Sequence, residues 1–169
     1  MTETSSVVSG IEPLIRPAEE KDRPAICLMD HEGRMHVASS RGGDAWIAEH
    51  PPIEEILGTS GMRILVAELS GVVVGFSSSF DKEVRDRGRV CSIERIYVDA
   101  SAREVGCGDA LLAEEIAGAL ERRCGIIEAR ALPGDRETKN LYERAGITAR
   151  SITVSKRLND PSTEEVVSR

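Results

Sequence analysis

The sequence predicts an α/β (α+β) fold in which flanking helices cover a mixed, mostly antiparallel central sheet. Two strand-like runs, 62–69 and 72–80, are separated by only two residues, which is typical of a β-hairpin. A third strand-like run, 89–98, follows and predicts an antiparallel meander. After it come a helix-like run and the apolar run 126–132, so the last of these strands should lie parallel to its neighbour.

The order of elements follows from apolar periodicity and from turn residues. In order, we predict a strand at 14–16, a helix at 18–30, a loop at 31–44, a helical region at 45–57, strands at 62–69, 72–80 and 89–98 with a charged loop at 81–88, a helix at 109–123, a strand at 126–132, a helix at 135–145 and a final strand at 147–157, chiefly 151–155. Polar tails, 1–12 and 159–169, flank the single domain predicted at 13–158.

Turn-forming and capping residues set these boundaries. Pro17 ends the first strand, and acidic residues then open the first helix. Three glycines within 33–43 predict the loop that follows, and Pro51 with Pro52 interrupts the next helical region. Asp135 is the expected N-cap of the last helix, and Gly146 stands where a left-handed C-cap belongs.

The composition predicts one globular domain. A chain of 169 residues can bury a single core, and 40% apolar with 30% charged residues is typical of a folded protein. The net charge of −7 would repel phosphate backbones, and an aromatic content of 3% argues against base stacking, so we expect no nucleic-acid partner. The same charge favours cationic small molecules or peptides.

Nothing in the sequence predicts export, membrane insertion or metal binding. No segment approaches the roughly 18 apolar residues of a membrane span, and the N-terminus has no secretory pattern. Four cysteines without a C-x-x-C pair are typical of reduced thiols in a cytoplasmic protein. His31 and His36 are five residues apart, which does not place two ligands on one helical face.

A glycine-bearing turn, Arg103-Glu104-Val105-Gly106-Cys107-Gly108, joins a predicted strand to a predicted helix. This arrangement lets backbone N–H groups and a helix dipole converge on a phosphate, and glycine lets the ligand approach the backbone closely. Arg103 can add a charge-assisted hydrogen bond. A short glycine motif by itself more often only makes a turn, so its surroundings decide what it does.

Three stretches in order resemble the GNAT superfamily of N-acetyltransferases. Residues 93–98, I-E-R-I-Y-V, look like its fourth strand, and Arg-x-x-Gly-x-Gly at 103–108 looks like its pyrophosphate loop. Residues 141–147 look like its L-Y-E-x-x-G-F signature, with Ile147 in place of Phe. The resemblance covers roughly 14–157 and implies a GNAT-type acyl-CoA N-acyltransferase fold with acetyl-CoA as co-substrate and no metal.

The resemblance also implies which residues hold acetyl-CoA. The backbone of the fourth strand would pair with the pantetheine arm, and the turn would bind the pyrophosphate. The residues so placed are Ile96, Tyr97, Val98, Arg103, Glu104, Val105, Gly106, Cys107, Gly108, Asp109 and Asp135. Asp135 stands where the family often has Asn, so it lacks the amide donor of that contact. Cys107 replaces a branched apolar residue.

Two residues are candidates for proton transfer. Glu94 is the only carboxylate on its strand and is the candidate general base; the alternative is a solvated or arginine-paired strand residue. Tyr142 is the candidate general acid, because a phenol can protonate a departing thiolate; the alternative is a core tyrosine. Cys107 could act as a nucleophile at a helix N-terminus, but we favour a side chain that points into the core.

The sequence thus predicts an N-acetyltransferase that moves an acetyl group to a primary amine by direct transfer in a ternary complex. The acceptor is either a small-molecule amine or an amine of a peptide or protein. Arg34, His36 and Arg41 would suit a carboxylate-bearing acceptor, whereas Asp81, Glu83 and the net charge would suit a cationic one.

Two other functions compete with this prediction. One is a non-catalytic acyl-CoA-binding regulatory module. The other is nucleotide binding, which is weaker because the chain has neither a P-loop lysine-hydroxyl pair nor a full G-x-G-x-x-G. The oligomeric state stays open, and a homodimer is one state that the sequence allows.

Overall fold

The computed structural model describes residues 12–154, which form a mixed five-stranded sheet with flanking helices. The strands are β1 Leu14–Pro17, β2 Met62–Leu69, β3 Val72–Val84, β4 Gly88–Val98 and β5 Ile126–Ala129. The helices are α1 Arg23–Ala38, α2 Gly43–Glu49, α3 Ile53–Ile56, α4 Cys107–Glu121 and α5 Arg136–Arg144. Strand order in the sheet follows chain order; β1 to β4 pair antiparallel, and β4 and β5 pair parallel.

The core lies on both faces of this sheet. On one face, Ile26 of α1 and Ile53 of α3 pack against Phe76 of β3, all of them fully buried. On the other face, Leu111 and Leu112 of α4 are fully buried against the strands. Burial of apolar area on both faces is the main source of stability, and it fixes α1 and α4 relative to β4.

The predicted hairpin is confirmed. Ser70 and Gly71 join β2 to β3 with φ values of 50° and 83°. Two consecutive positive φ values are the mark of a type I′ turn, whose twist matches that of the flanking strands. Asp135 as N-cap is confirmed as well, since its carboxylate accepts a hydrogen bond from Thr138 N at 3.1 Å. Gly146 has the predicted positive φ, 81°.

The loop predicted at 31–44 is wrong over most of its length, because α1 continues to Ala38. Its polar residues form the solvated face of the helix, which the sequence pattern does not distinguish from a loop. Gly33 does not break the helix; a Cβ there would lie 3.1 Å from Tyr97 Cδ2. The glycine therefore lets α1 approach β4 closely.

The charged loop predicted at 81–88 is also wrong. β3 runs to Val84 and β4 starts at Gly88, so only three residues form the turn. Asp81 belongs to the sheet, where its side chain is 7% exposed and is ion-paired with arginines of neighbouring elements. Because these ion pairs neutralise its charge, a carboxylate is tolerated inside the strand.

β4 and β5 separate after a short paired segment. The pairing ends at Ile93 and Ala129, and the predicted extension of β5 to residue 132 is wrong. In the β3–β4 register, Ser79 pairs with Ile93 and Ser78 with Arg95, which leaves Glu94 as the extra residue of a β-bulge. The bulge bends β4 away from β5 and opens the sheet at this point.

The final strand predicted at 147–157 is absent from the part that the structure describes. Residues 147–154 have no strand pairing, and 155–157 lie outside the described residues. The same limit applies to the polar tails predicted at 1–12 and 159–169, of which only residue 12 is described. Between residues 12 and 154, no helix is both long enough and apolar enough to cross a membrane.

Candidate active site

A cavity of about 520 Å³ lies where β4 and β5 separate. The second half of β4 forms one wall, and the residues that follow β5 form the opposite wall. α1 and Trp46 of α2 close one end, and the turn before α4 together with α5 closes the other. From Arg95 to Val98, β4 pairs only with β3, so the edge of β4 that faces the cavity carries backbone groups without a strand partner.

The glycine turn has the geometry of an anion site. Gly106 is the N-cap of α4 with φ 84°, a conformation that glycine adopts without strain. The first α4 hydrogen bond runs from Ala110 N to Gly106 O, so the N–H groups of Cys107 and Gly108 have no partner within the helix. Free N–H groups at a helix N-terminus, aided by the helix dipole, bind phosphate.

Arg103 lies next to these groups at the cavity rim. Its side chain is 40% exposed, and Nη1 is 3.2 Å from Glu137 of α5. Its Nε donates to Val98 O at 3.4 Å, which holds the side chain against the end of β4. An exposed ion pair of this kind is weak, so the guanidinium can turn toward an anion at little cost.

Most residues predicted to hold a cofactor line this one cavity. They are Ile96, Tyr97, Val98, Arg103, Glu104, Gly106, Cys107, Gly108, Asp109 and Asp135. Val105 is not among them and is half exposed. A Cβ on Gly108 would lie 3.3 Å from Leu141 of α5, so glycine keeps the space between α4 and α5 open. The turn, the free strand edge and Arg103 fit a long ligand with a pyrophosphate.

The Cys107 side chain is buried in the core. It is 1% exposed and packs with Ala67 and Leu111. Burial raises the pKa of this thiol, which is the opposite of what a reactive thiolate requires. The structure thus agrees with the core position favoured from the sequence.

Glu94 reaches the cavity because it is the bulge residue of β4. Its side chain is 31% exposed, and Oε2 lies 3.4 Å from Nε2 of His50. His50 is buried, and its Nδ1 lies 2.8 Å from Trp46 O. A carbonyl oxygen can only accept, so Nδ1–H donates this hydrogen bond and holds the ring with Nε2 toward Glu94.

Tyr142 of α5 also lines the cavity, packs with Ile93 of β4 and Leu112 of α4, and is only 6% exposed. Burial raises the pKa of this phenol, and the nearby carboxylates of Asp135, Glu115 and Glu94 act in the same direction. Within residues 12–154 its hydroxyl has no hydrogen-bond partner. The phenol is therefore protonated at neutral pH and free to donate.

Several cavity residues were missed by sequence reasoning. Trp46 of α2 and Arg95 of β4 line the cavity, and His50, the residue that follows α2, contacts the cavity residue Glu94; no motif links the three. The sequence signal available was the unusual placement of an arginine in an apolar strand. Of the residues weighed for acceptor contact, Arg34 and His36 line the cavity, whereas Arg41, Asp81 and Glu83 do not.

In the part of the chain between residues 12 and 154, no group of three histidine, cysteine, aspartate or glutamate side chains is placed to hold a metal ion.

Residues 28–147 match the sequence model of the Acetyltransferase (GNAT) family. A comparison with curated proteins gives no match. Among solved structures, a putative acetyl transferase from Pyrococcus furiosus is similar, with a TM-score of 0.69, 22% identity and coverage of 87% of this chain and 100% of that one.

Two further structures share the fold. A ribosomal-protein-alanine N-acetyltransferase from Brucella melitensis biovar Abortus 2308 has a TM-score of 0.65 and 20% identity, and covers 88% of this chain and 99% of its own. The aminoglycoside N-acetyltransferase AAC(6')-Iy in complex with CoA has a TM-score of 0.64 and 23% identity, and covers 89% of this chain and 99% of its own.

Proposed function

The chain belongs to the GNAT family of acetyltransferases, and from this premise we propose that it transfers the acetyl group of acetyl-CoA directly to a primary amine. The observation that carries the proposal is a single cavity that combines three features needed for acetyl transfer. It has a turn suited to an anion at one end, an unpaired strand edge along one wall, and a candidate base and a candidate acid among its lining residues. Binding both substrates side by side supplies much of the rate.

The turn and β4 would hold the co-substrate. Acetyl-CoA, when bound, supplies an acetyl group activated as a thioester. The free N–H groups at the start of α4 and the Arg103 guanidinium would neutralise its pyrophosphate. The free edge of β4 at Ile96–Val98 would bond its amide-bearing arm as an added strand does. An N–H of the same edge would polarise the thioester carbonyl.

Glu94 would accept the proton of the acceptor ammonium. A general base must reach the reacting nitrogen, and Glu94 extends from the bulge into the cavity. His50 positions this carboxylate, because the Nδ1 hydrogen bond to Trp46 O fixes the imidazole ring so that Nε2 faces Glu94. Stacking of His50 on the Trp46 ring, with centroids 4.3 Å apart, holds the ring further.

Tyr142 would donate a proton to the departing thiolate. The phenol is protonated at neutral pH and is otherwise unpartnered within residues 12–154, so transfer to a thiolate costs no protein hydrogen bond. Direct transfer is preferred over a covalent route, because the Cys107 side chain is 1% exposed and packs in the core, and burial raises the pKa of its thiol.

The first test is calorimetric titration of the protein with acetyl-CoA, together with thiol release in the presence of an amine library. Binding in the micromolar range or tighter, and thiol release with one class of amine, is the expected result. Binding without turnover across the library would favour a non-catalytic acyl-CoA-binding module. Absence of binding would refute the assignment of the turn at 103–109.

A further inference from the structure

The end of the cavity away from the glycine turn is rich in guanidinium groups. Arg34 of α1 and Arg95 of β4 both line it, next to Trp46 and close to Glu94. Their guanidinium carbons lie 6.0 Å and 5.9 Å from the centre of the Trp46 ring. One aromatic ring therefore orients two cations at the same end of the cavity.

Arg95 is buried and only partly satisfied. The residue is 6% exposed, and its Nη2 donates to Pro51 O. Its Nε is 3.3 Å from Asp30 Oδ1 without hydrogen-bond geometry, and neither Nε nor Nη1 has an acceptor within residues 12–154. A buried guanidinium normally uses most of its five donors, so this side chain retains unused binding capacity.

Arg34 carries a charge that no carboxylate of the described chain neutralises. Its only hydrogen bond within residues 12–154 goes from Nη1 to the backbone oxygen of His50. It is close enough to Arg95 for the two charges to repel, and this repulsion adds to burial in lowering the pKa of Arg95. Asp30 and Glu94 offset part of this repulsion at Arg95, and an anion bound beside Arg34 would offset more of it.

The two carboxylates nearby are already committed. Asp30 is 5% exposed and accepts a hydrogen bond from Ile53 N at 2.9 Å. Its ion pair is with Arg95, not with Arg34. Glu94 faces His50 and is the base in the proposed mechanism. Glu32 of α1 does not line the cavity and accepts a hydrogen bond from the Tyr97 hydroxyl at 3.2 Å. The positive charge of Arg34 is therefore left for a ligand, although the chain as a whole carries −7.

We propose that the acceptor is a small amine that also carries an anionic group, a carboxylate or a phosphate, and that this group binds Arg34 and Arg95 while the amine faces Glu94. The inference rests on the proposed acetyl transfer, because it names the acceptor of that same cavity. Guanidinium groups bind either oxyanion through paired, charge-assisted hydrogen bonds. The anchored oxyanion would hold the amine beside its base, which is a specificity function distinct from the chemistry itself.

Matched pairs of amines test the proposal. Alanine is compared with ethylamine for the carboxylate, phosphoethanolamine with ethanolamine for the phosphate, and spermidine serves as the polycation. We expect one amine that carries the anionic group to exceed its partner that lacks this group about tenfold or more in kcat/KM, with spermidine poorest. Arg34→Gln should reduce that ratio to about twofold, mainly through KM. Arg85→Gln, whose side chain is 96% exposed in the β3–β4 turn, is the charge-matched control and should keep it.

A binding measurement without turnover separates the two claims. N-acetylalanine and N-ethylacetamide are titrated in the presence of CoA into the wild-type protein and into Arg34→Gln. Tighter binding of the anionic product by the wild type alone supports the proposal. If acetyl-CoA is bound and the amines without an anionic group, or spermidine, are acetylated as well as those that carry one, the acetyltransferase stands and this inference is overturned. Equal preference in Arg34→Gln, or no binding and no turnover of any anionic member, also overturns it.

Discussion

At the residue scale, the chemistry of this cavity depends on what surrounds each side chain. From the sequence, Glu94 could be an ordinary solvated residue of its strand, yet in the structure the bulge turns it toward the cavity and His50. Tyr142 could be a core residue by its burial, yet it lines the same cavity. The candidate role of each residue could be predicted from the sequence, but its contacts in the folded chain could not.

Replacement of Tyr142 by Phe should lower kcat about 10²-fold or more, because the departing thiolate loses its proton donor. Acetyl-CoA affinity should change little, since the ring and its packing remain. The measurement is steady-state kinetics with the preferred amine, repeated with an acetyl thioester of a more acidic thiol. The defect should shrink with that thioester, because a better leaving group needs less protonation. An unaltered kcat would remove Tyr142 from the acid role.

At the element scale, two glycines of the sequence have different structural roles, one in the turn before α4 and one inside α1. Gly106 was expected to shape a turn, and its φ of 84° confirms it. Gly33 was expected to break a helix, but it lies within α1 where the helix contacts Tyr97. Close packing and chain reversal both select glycine, so the sequence alone does not separate them.

Gly108→Trp should abolish acetyl-CoA binding, because an indole at this position would fill the space between the start of α4 and Leu141. Calorimetric titration measures the loss, which we expect to exceed about 100-fold in Kd. Gly125→Trp is the matched control, because a Cβ added at that glycine would meet no atom of a non-adjacent residue within 4 Å and its φ is not positive. Retained affinity in a folded Gly108→Trp protein would argue against the turn as the pyrophosphate site.

At the scale of the whole molecule, ion pairs hold the strands of the sheet together at one end, whereas β4 and β5 separate at the other end. Asp81 of β3 binds Arg63 of β2 at 2.5 Å, Arg89 of β4 at 3.1 Å and Arg122 after α4 at 3.0 Å. Asp81 pairs with Cys91, within the segment where β4 and β5 still pair. This ion-pair group therefore holds three strands and a helix together at the end opposite the cavity.

Asp81→Asn should lower the free energy of unfolding by about 3 kcal/mol at pH 7, because three arginines lose their shared carboxylate. Burial alone would raise the pKa of Asp81, but the hydrogen bond from Arg122 and the charges of Arg63 and Arg122 hold it below its usual value. A lowered folded-state pKa means that the unfolded chain binds the proton first. The stabilisation is therefore complete above about pH 4 and is lost as the pH falls through the folded-state pKa.

Urea denaturation of the wild type and the variant at several pH values between 7 and 2.5 measures this difference. Asp86→Asn is the control, because that side chain is 91% exposed in the β3–β4 turn and should change stability by less than about 0.5 kcal/mol. A gap between wild type and Asp81→Asn that stays constant down to pH 2.5 would show that the carboxylate charge is not what stabilises this end of the sheet.

The sequence determined the elements whose signals are local. Apolar alternation, the two-residue turn at Ser70 and Gly71, the cap at Asp135 and the glycine turn before α4 each depend on neighbours along the chain. These signals, together with the resemblance of three stretches to a known family, were enough to predict the fold class, the parallel crossover and the acetyltransferase family. The final strand at 147–157 had only a weak local signal, and residues 147–154 form no strand.

Only the tertiary structure decided which distant residues meet. The bulge at Glu94 exists because β3 and β4 differ in register, and the opening beside it exists because β5 ends at Ala129. The grouping of Arg34, Trp46 and Arg95 follows from α1 and α2 packing on β4. Strand register and helix packing minimise the free energy of the whole core rather than of any local segment. The sequence could therefore predict the class of chemistry, whereas the grouping of positive charge at Arg34 and Arg95 required the folded chain.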